Sequence, residues 1–122
     1  MSRELYEQAV AISERAYAPY SNYLVGAAVR TRDGKVFEGV NVENAAYPLG
    51  VCAEKSALAK AVSEGYKPGD IDAIGITASP CGGCRQWLCE FRIGEVTFLS
   101  STGELVTYSA AELLPDTWDL PA

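Results

Sequence analysis

Residues 79–91 read SPCGGCRQWLCEF and place three cysteines within nine residues, Cys81, Cys84 and Cys89. The chain contains only one other cysteine. A proline followed by a short polar start and then apolar residues is typical of the beginning of a helix. We therefore predict a helix opening after Pro80 and running over residues 81–91. Its geometry decides which of the three thiols can act together.

Helical spacing separates these thiols into two groups. Residues three apart lie on neighbouring turns of one helix face, so Cys81 and Cys84 can share a ligand. Cys89 follows Cys84 by five residues, and at about 3.6 residues per turn it is rotated away by roughly 140°. We interpret Cys89 as a core thiol on the packing side of the helix.

The remaining cysteine, Cys52, opens a second helical pattern in residues 52–65. Zinc binds thiolates well, and two helix N-termini would stabilise the negative charge of three thiolates. Three protein ligands would leave a fourth position open, as in catalytic zinc sites. Glu54 lies in the first turn of the same helix, where its carboxylate could take a proton from a water at that position and pass it on.

Spacing alone leaves other interpretations of the cysteines open. Cys81 and Cys84 could form a redox dithiol, or they could be inert thiols. A structural zinc module would need Cys89 as a fourth ligand, which helix geometry opposes. The chain has no histidine, which excludes Ser-His-Asp triads, Cys-His nucleophiles and His-based zinc proteases.

The length and net charge of the chain limit the number of domains and the kinds of partner that we expect. A chain of 122 residues suits one domain, residues 1–122, with a single core. Its net charge of -6 makes nucleic acid and anionic membrane surfaces poor partners, so we expect neither. The opening residues lack the apolar core of a secretion signal, and the paired cysteines suit a reducing compartment. We therefore expect a cytoplasmic protein.

Hydrophobic patterning predicts the element order α-β-β-α-β-α-β-β-α. The first helix is expected to begin with Ser2 as its N-cap and to end before Pro19. One apolar face of this helix would carry Leu5, Ala9, Ile12 and Ala16.

Two glycines are expected at chain turns: Asp33-Gly34 forms the turn of a hairpin, and Gly65 ends the second helix. Four residues join the strands at 95–100 and 105–109, a link that only an antiparallel pair allows. The result is an α/β fold with a mixed five-stranded sheet and helices on its faces.

Two motifs, VCAEK at 51–55 and SPCGGCRQ at 79–86, together resemble the cytidine deaminase family. The resemblance is to its short, three-cysteine, homotetrameric branch, and it also covers residues 18–47 and 110–118. It implies a three-layer αβα sandwich. It also implies hydrolytic deamination of cytidine and 2′-deoxycytidine, in pyrimidine salvage.

The family's catalytic residues fall on four positions of this chain. Cys52, Cys81 and Cys84 match the ligands of one zinc ion per chain. Glu54 matches the residue that shuttles the proton between water and the base.

The resemblance also implies which residues bind the nucleoside. Asn41 and Glu43 match a pair that hydrogen-bonds the sugar hydroxyls, and the backbone N–H of Ala53 matches a donor to the pyrimidine O2. Tyr23 stands where the family usually has a phenylalanine beside the pyrimidine ring. Two further aromatic residues match positions that reach a neighbouring subunit's site, which implies a homotetramer with shared active sites: Tyr47 and Trp118.

The chain departs from the family pattern in three places. Lys55 replaces a common arginine, and Pro48 replaces a common glycine. Only two residues separate the strand at 71–76 from Ser79, where relatives usually have several more. A shorter link suggests a second hypothesis, in which the pocket accepts N4-substituted cytidines or a cytosine-headed antibiotic, as in related blasticidin deaminases.

Overall fold

The structure is a computed structural model that describes residues 2–120. Its helices and strands follow the predicted order, with one added 3₁₀ turn at Tyr47–Leu49. In chain order the other elements are α1 (Arg3–Ser13), β1 (Gly26–Thr31), β2 (Val36–Val40), α2 (Ala53–Ser63), β3 (Ile71–Ile76), α3 (Gly82–Glu90), β4 (Glu95–Leu99), β5 (Leu105–Tyr108) and α4 (Ala110–Leu113).

The five strands form one mixed sheet in the order β2-β1-β3-β4-β5. Strand β1 runs antiparallel to both β2 and β3, and β4 runs antiparallel to β5, as its short link predicted. Strands β3 and β4 are parallel, and α3 forms the crossover between them. The mixed α/β fold predicted from the sequence is confirmed.

Helix α1 packs close to one face of the sheet because the strand residues beneath it are glycines and alanines. A Cβ added to Gly26 would lie 2.0 Å from the carbonyl oxygen of Ala9, and one on Gly75 would lie 2.4 Å from the backbone nitrogen of Tyr6. Leu5 of α1 packs on this face with two strand alanines. Small residues in the strands thus allow backbone-to-backbone approach.

The opposite face of the sheet carries the larger apolar side chains and the main core. Side chains of β1, β3 and β4 on this face meet α2 and α3, and the buried cluster includes Val29, Leu58, Ile74, Ile76, Leu88 and Val96. Helices therefore cover both faces of the sheet in three layers. Within residues 2–120, no helix combines the length and the apolarity that a membrane crossing requires.

The predicted ends of α1 are partly wrong. The helix ends at Ser13, so Ala16 lies outside it. The cause is tertiary: Tyr17 N–H donates to the Asn41 carbonyl at 3.1 Å, and Glu43 N–H donates to the Tyr17 carbonyl at 2.8 Å. This pairing draws the chain into an extended path before Pro19 is reached.

At the other end of α1, Ser2 occupies the N-cap position but its hydroxyl does not cap the helix. That hydroxyl donates to Glu95 of β4, and the Ser2 backbone N–H donates to Thr97 Oγ1 at 3.2 Å. The structure confirms the two predicted glycine turns, since Gly34 and Gly65 have left-handed φ angles of +93° and +102°.

Candidate functional site

Two helix starts bring three cysteines to one place at an edge of the sheet. Cys52 is the N-cap residue of α2 and Cys81 is the N-cap residue of α3, while Cys84 lies in the first turn of α3. Helix N-termini carry unpaired N–H groups and a positive dipole end, which favour thiolates. The sequence placed the same three residues together.

The distances between the sulfur atoms fit a single metal ion. The three Sγ atoms all lie within 4.8 Å of one another, and those of Cys52 and Cys81 are 4.0 Å apart. Tetrahedral ligation with Zn–S bonds of about 2.3 Å would place the sulfurs about 3.8 Å apart. In the part of the chain that the structure describes, no other group of metal-binding side chains was found.

Burial makes two of these three thiols hard to ionise unless a cation lies beside them. Burial raises the pKa of Cys84, and the nearby charges of Glu54 and Cys52 raise it further. Burial likewise raises the pKa of Cys52. Burial opposes ionisation of Cys81 too, but its hydrogen bonds to Cys84 and Cys52 leave its pKa below the ordinary value. A divalent ion would stabilise all three thiolates.

Glu54 is the one buried acidic side chain among the described residues and is 4 % exposed. It lies in the first turn of α2 and lines the same cleft as Cys52 and Cys81. Burial raises its pKa, against the opposing effects of its own backbone N–H, the Cys84 thiol and Lys55. A carboxyl group with a raised pKa is suited to taking up and returning a proton near neutral pH.

A cleft of about 430 Å³ opens above the cysteines, a size typical of small-molecule sites. It is lined by eight of the predicted site residues: Tyr23, Asn41, Glu43, Tyr47, Cys52, Ala53, Glu54 and Cys81. Cys84 is fully buried, and its Sγ lies beside the other two sulfurs.

Two residues that the sequence singled out lie away from this cleft. Trp118 does not line it; the side chain is 69 % exposed and the backbone carbonyl accepts a hydrogen bond from Gln86 Nε2 at 3.1 Å. Cys89 lies outside the thiol cluster, as its spacing predicted. It packs against the core and its thiol donates to the Ala110 carbonyl at 3.3 Å.

Asn41 and Glu43 hold the loop that forms one wall of the cleft. Asn41 Oδ1 accepts from Val25 N–H at 2.8 Å, and its Nδ2 donates to the Tyr23 carbonyl at 2.9 Å. Glu43 accepts from the N–H groups of Tyr20 and Ser21 and from the Ser21 hydroxyl. Sequence reasoning missed several lining residues, among them Ser21, Val25, Asn44 and Val51, whereas the sequence predicted the short link before Ser79 at the rim of the pocket.

The three positions at which the chain departs from the pattern it resembles can be located in the structure. Lys55 Nζ reaches the first turn of α3, 3.7 Å from where a Cβ on Gly83 would stand. Pro48 lies within the 3₁₀ turn, which its fixed φ suits. Thr77, in the short link after β3, exchanges hydrogen bonds with the backbone of Gly26.

Comparisons with known proteins match this chain, including the residues of the site, to one protein family. Residues 1–100 match the cytidine and deoxycytidylate deaminase zinc-binding region. The chain is 41 % identical over 119 residues to a cytidine deaminase of Halalkalibacterium halodurans, covering 91 % of this chain and 89 % of the relative. It is 32 % identical over 103 residues to a blasticidin-S deaminase of Bacillus cereus, covering 75 % and 74 %.

A solved structure agrees with these sequence matches. The crystal structure of a cytidine deaminase from Burkholderia pseudomallei superposes with a TM-score of 0.89 at 45 % identity, covering 97 % of this chain and 99 % of that one. Fold, sequence and thiol cluster therefore lead to the same assignment: the chain belongs to the cytidine deaminase family of zinc-binding enzymes.

Proposed function

We propose that this chain hydrolyses cytidine and 2′-deoxycytidine to uridine and 2′-deoxyuridine, with release of ammonia. The observation that carries the proposal is the buried Glu54 beside three convergent thiols at the base of one cleft. The family membership and the cytidine deaminases among its relatives support it. Pyrimidine salvage in the cytoplasm is the role that we infer for this reaction.

Cys52, Cys81 and Cys84 would together hold one zinc ion per chain. When bound, zinc supplies Lewis acidity, which lowers the pKa of water and polarises it for attack. The net reaction adds water at C4 of the pyrimidine and expels the amino group.

Glu54 would move the protons that this exchange requires. Its carboxylate accepts a proton from water and delivers it to N3. It then takes a second proton, from the hydroxyl group formed at C4, and passes it to the departing amine. Burial of Glu54 keeps these transfers out of bulk water and raises its affinity for the proton. The N–H of Ala53, at the start of α2, would donate to the pyrimidine O2 and so orient the ring.

The opposite wall of the cleft would bind the sugar and the face of the base. Glu43 and Asn41 line the cleft and offer a carboxylate and an amide to the sugar hydroxyls. Tyr23 would lie beside the pyrimidine ring. These groups would recognise a free nucleoside, which agrees with the net charge of -6, since binding to nucleic acid depends on Lys and Arg.

We further propose that residues 1–122 form one domain and that four copies assemble with shared sites. Several large apolar side chains that line the cleft are exposed: Tyr23, Val42, Val51 and, at 84 % exposure, Tyr47. Exposed apolar groups concentrated in one region mark contact surfaces. In such an assembly Tyr47 and Trp118 would reach a neighbouring subunit's nucleoside.

Metal analysis combined with an ultraviolet assay of cytidine tests the proposed function. The purified chain should carry about one equivalent of zinc, and absorbance should change as cytidine becomes uridine. Zinc-loaded protein that leaves both cytidine and 2′-deoxycytidine unchanged would refute the proposal. Metal-free protein with a reversible Cys81–Cys84 dithiol would indicate a thiol oxidoreductase instead.

A second candidate function concerns the substrate rather than the reaction. Only Thr77 and Ala78 separate β3 from Ser79, and both Ala78 and Ser79 line the cleft. A wall this short leaves more space beside the exocyclic amine, where N4-substituted cytidines or a blasticidin-like nucleoside would fit. Turnover of an N4-methylcytidine and blasticidin S panel at rates near that of cytidine would support this candidate, and turnover of cytidine alone would exclude it.

A further inference from the structure

Ser21 connects two residues that line the cleft. Its hydroxyl donates to Glu43 Oε2 and accepts from the backbone N–H of Tyr23 at 3.0 Å. Its own N–H donates to Glu43 Oε1 at 3.1 Å. One serine therefore contacts both the carboxylate of Glu43 and the backbone that carries the Tyr23 ring.

The backbone around Ser21 is shaped for this contact. Asn22 has φ of +59°, a left-handed conformation that asparagine tolerates better than most residues. Its N–H donates to the Ala18 carbonyl at 2.9 Å, which closes the turn. Ser21 and Tyr23, on either side of this bend, both line the cleft.

Counting hydrogen bonds shows which atom of Glu43 can still accept one. A carboxylate has about four lone-pair sites, two on each oxygen. Oε1 accepts from the N–H groups of Tyr20 and Ser21, whereas Oε2 accepts from the Ser21 hydroxyl. The remaining site is on Oε2, the atom that Ser21 Oγ holds in place.

These donors also keep the carboxylate charged. The Ser21 hydroxyl is the main cause that holds the pKa of Glu43 below its ordinary value, and the N–H groups of Ser21 and Tyr20 add to it. An ionised carboxylate forms the stronger hydrogen bond with a neutral hydroxyl.

We propose that Ser21 is a positioning residue for the sugar of the substrate: it orients Glu43 so that Oε2 presents its free acceptor site to a sugar hydroxyl. The inference rests on the proposed function and adds to it a residue that acts through Glu43. It predicts that losing the Ser21 hydroxyl weakens binding of a hydroxyl-bearing sugar and leaves the deamination chemistry intact.

The test compares Ser21→Ala with wild type on cytidine and on 2′,3′-dideoxycytidine, which lacks the 2′ and 3′ hydroxyls of the sugar. On cytidine we expect kcat/KM to fall about tenfold, through KM, because one charge-assisted hydrogen bond is lost. On the dideoxy substrate kcat/KM should stay near the wild-type value. Zinc content should not change, and Ser21→Thr, which keeps the hydroxyl, should restore cytidine turnover.

Ser63→Ala is the matched control, because the Ser63 hydroxyl donates only to the Ala59 carbonyl within α2. It should behave as wild type on both nucleosides. Equal losses on both nucleosides in Ser21→Ala, or a fall in kcat at constant KM, would overturn the role of Ser21 alone. A wild type that converts neither nucleoside would overturn the proposed function and this role with it.

Discussion

The position of Glu54 in the buried first turn of α2 raises the pKa of its carboxyl group. Acids are common in first turns, where they face solvent and interact with the helix dipole. Here the turn is buried against the sheet, so the carboxylate lies among thiols with little access to water. Each residue along a helix turns by about 100°, so the same acid one position away would face elsewhere.

The two cysteines within α3, Cys84 and Cys89, direct their thiols to different partners and so give a paired prediction. Cys84→Ser should lose most bound zinc and at least about 100-fold of the activity, since a hydroxyl is a poor substitute for a thiolate ligand. Cys89→Ser should keep both, because its hydroxyl can still donate to the Ala110 carbonyl.

Inductively coupled plasma mass spectrometry and cytidine turnover would measure this pair, with circular dichroism as the check on folding. Full zinc content in folded Cys84→Ser would remove that residue from the ligand set. Loss of zinc from Cys89→Ser would show that the helix-spacing argument is wrong.

At the scale of elements, the fold depends on how closely α1 approaches the sheet. Gly26 and Gly75 leave space that the α1 backbone occupies. The apolar pattern of the sequence predicted a helix and strands here, but not which faces meet. Small residues in a strand indicate close approach only once the partner is known.

Gly75→Ala should therefore destabilise the protein. Its new Cβ would lie 2.4 Å from backbone atoms of Leu5 and Tyr6, which cannot rotate away. We expect a loss of about 3 kcal/mol and a fall in Tm of about 10 °C. Gly94→Ala is the control, since a Cβ there meets no atom within 4 Å; equal melting temperatures for the two variants would contradict the packing described for α1.

The element order, the antiparallel β4–β5 pair and the glycine turns could all be predicted because they depend on local pattern. The end of α1 could not, because the pairing of Tyr17 with residues 41–43 joins segments distant in sequence. The same limit applies to Ser21, whose partner Glu43 is 22 residues away. The meeting of Cys52, Cys81 and Cys84 could be predicted, because thiol spacing at two helix starts restricts which cysteines can share one ligand.

At the scale of the whole molecule, two exposed aromatic side chains bear on the proposed assembly, one that lines the cleft and one that lies outside it. Tyr47 is 84 % exposed and Trp118 is 69 % exposed, values that are unusual for residues expected to contact a nucleoside. In the proposed assembly, neighbouring chains would cover both side chains. The sequence predicted the assembly only through family resemblance, because no pattern within one chain shows what covers its surface.

Native mass spectrometry at micromolar concentration tests this assembly. We expect a single species with the mass of four chains, because burying the aromatic surface around the cleft favours association. Introducing charge with Tyr47→Asp should shift the species toward lower mass and raise KM for cytidine, while Lys35→Asp, on the β1–β2 turn, should change neither. A wild-type monomer with full activity would contradict a shared site.

The pairing of Glu54 with the thiol site is tested most directly by zinc content and cytidine turnover measured together in Glu54→Gln. Glutamine keeps the shape of the side chain but cannot carry the proton. We predict that zinc stays at the wild-type level while kcat falls about a thousandfold, and that Glu64→Gln, exposed at the end of the same helix, matches wild type. A zinc-loaded Glu54→Gln enzyme within about tenfold of wild-type kcat would contradict the role of Glu54 as proton carrier.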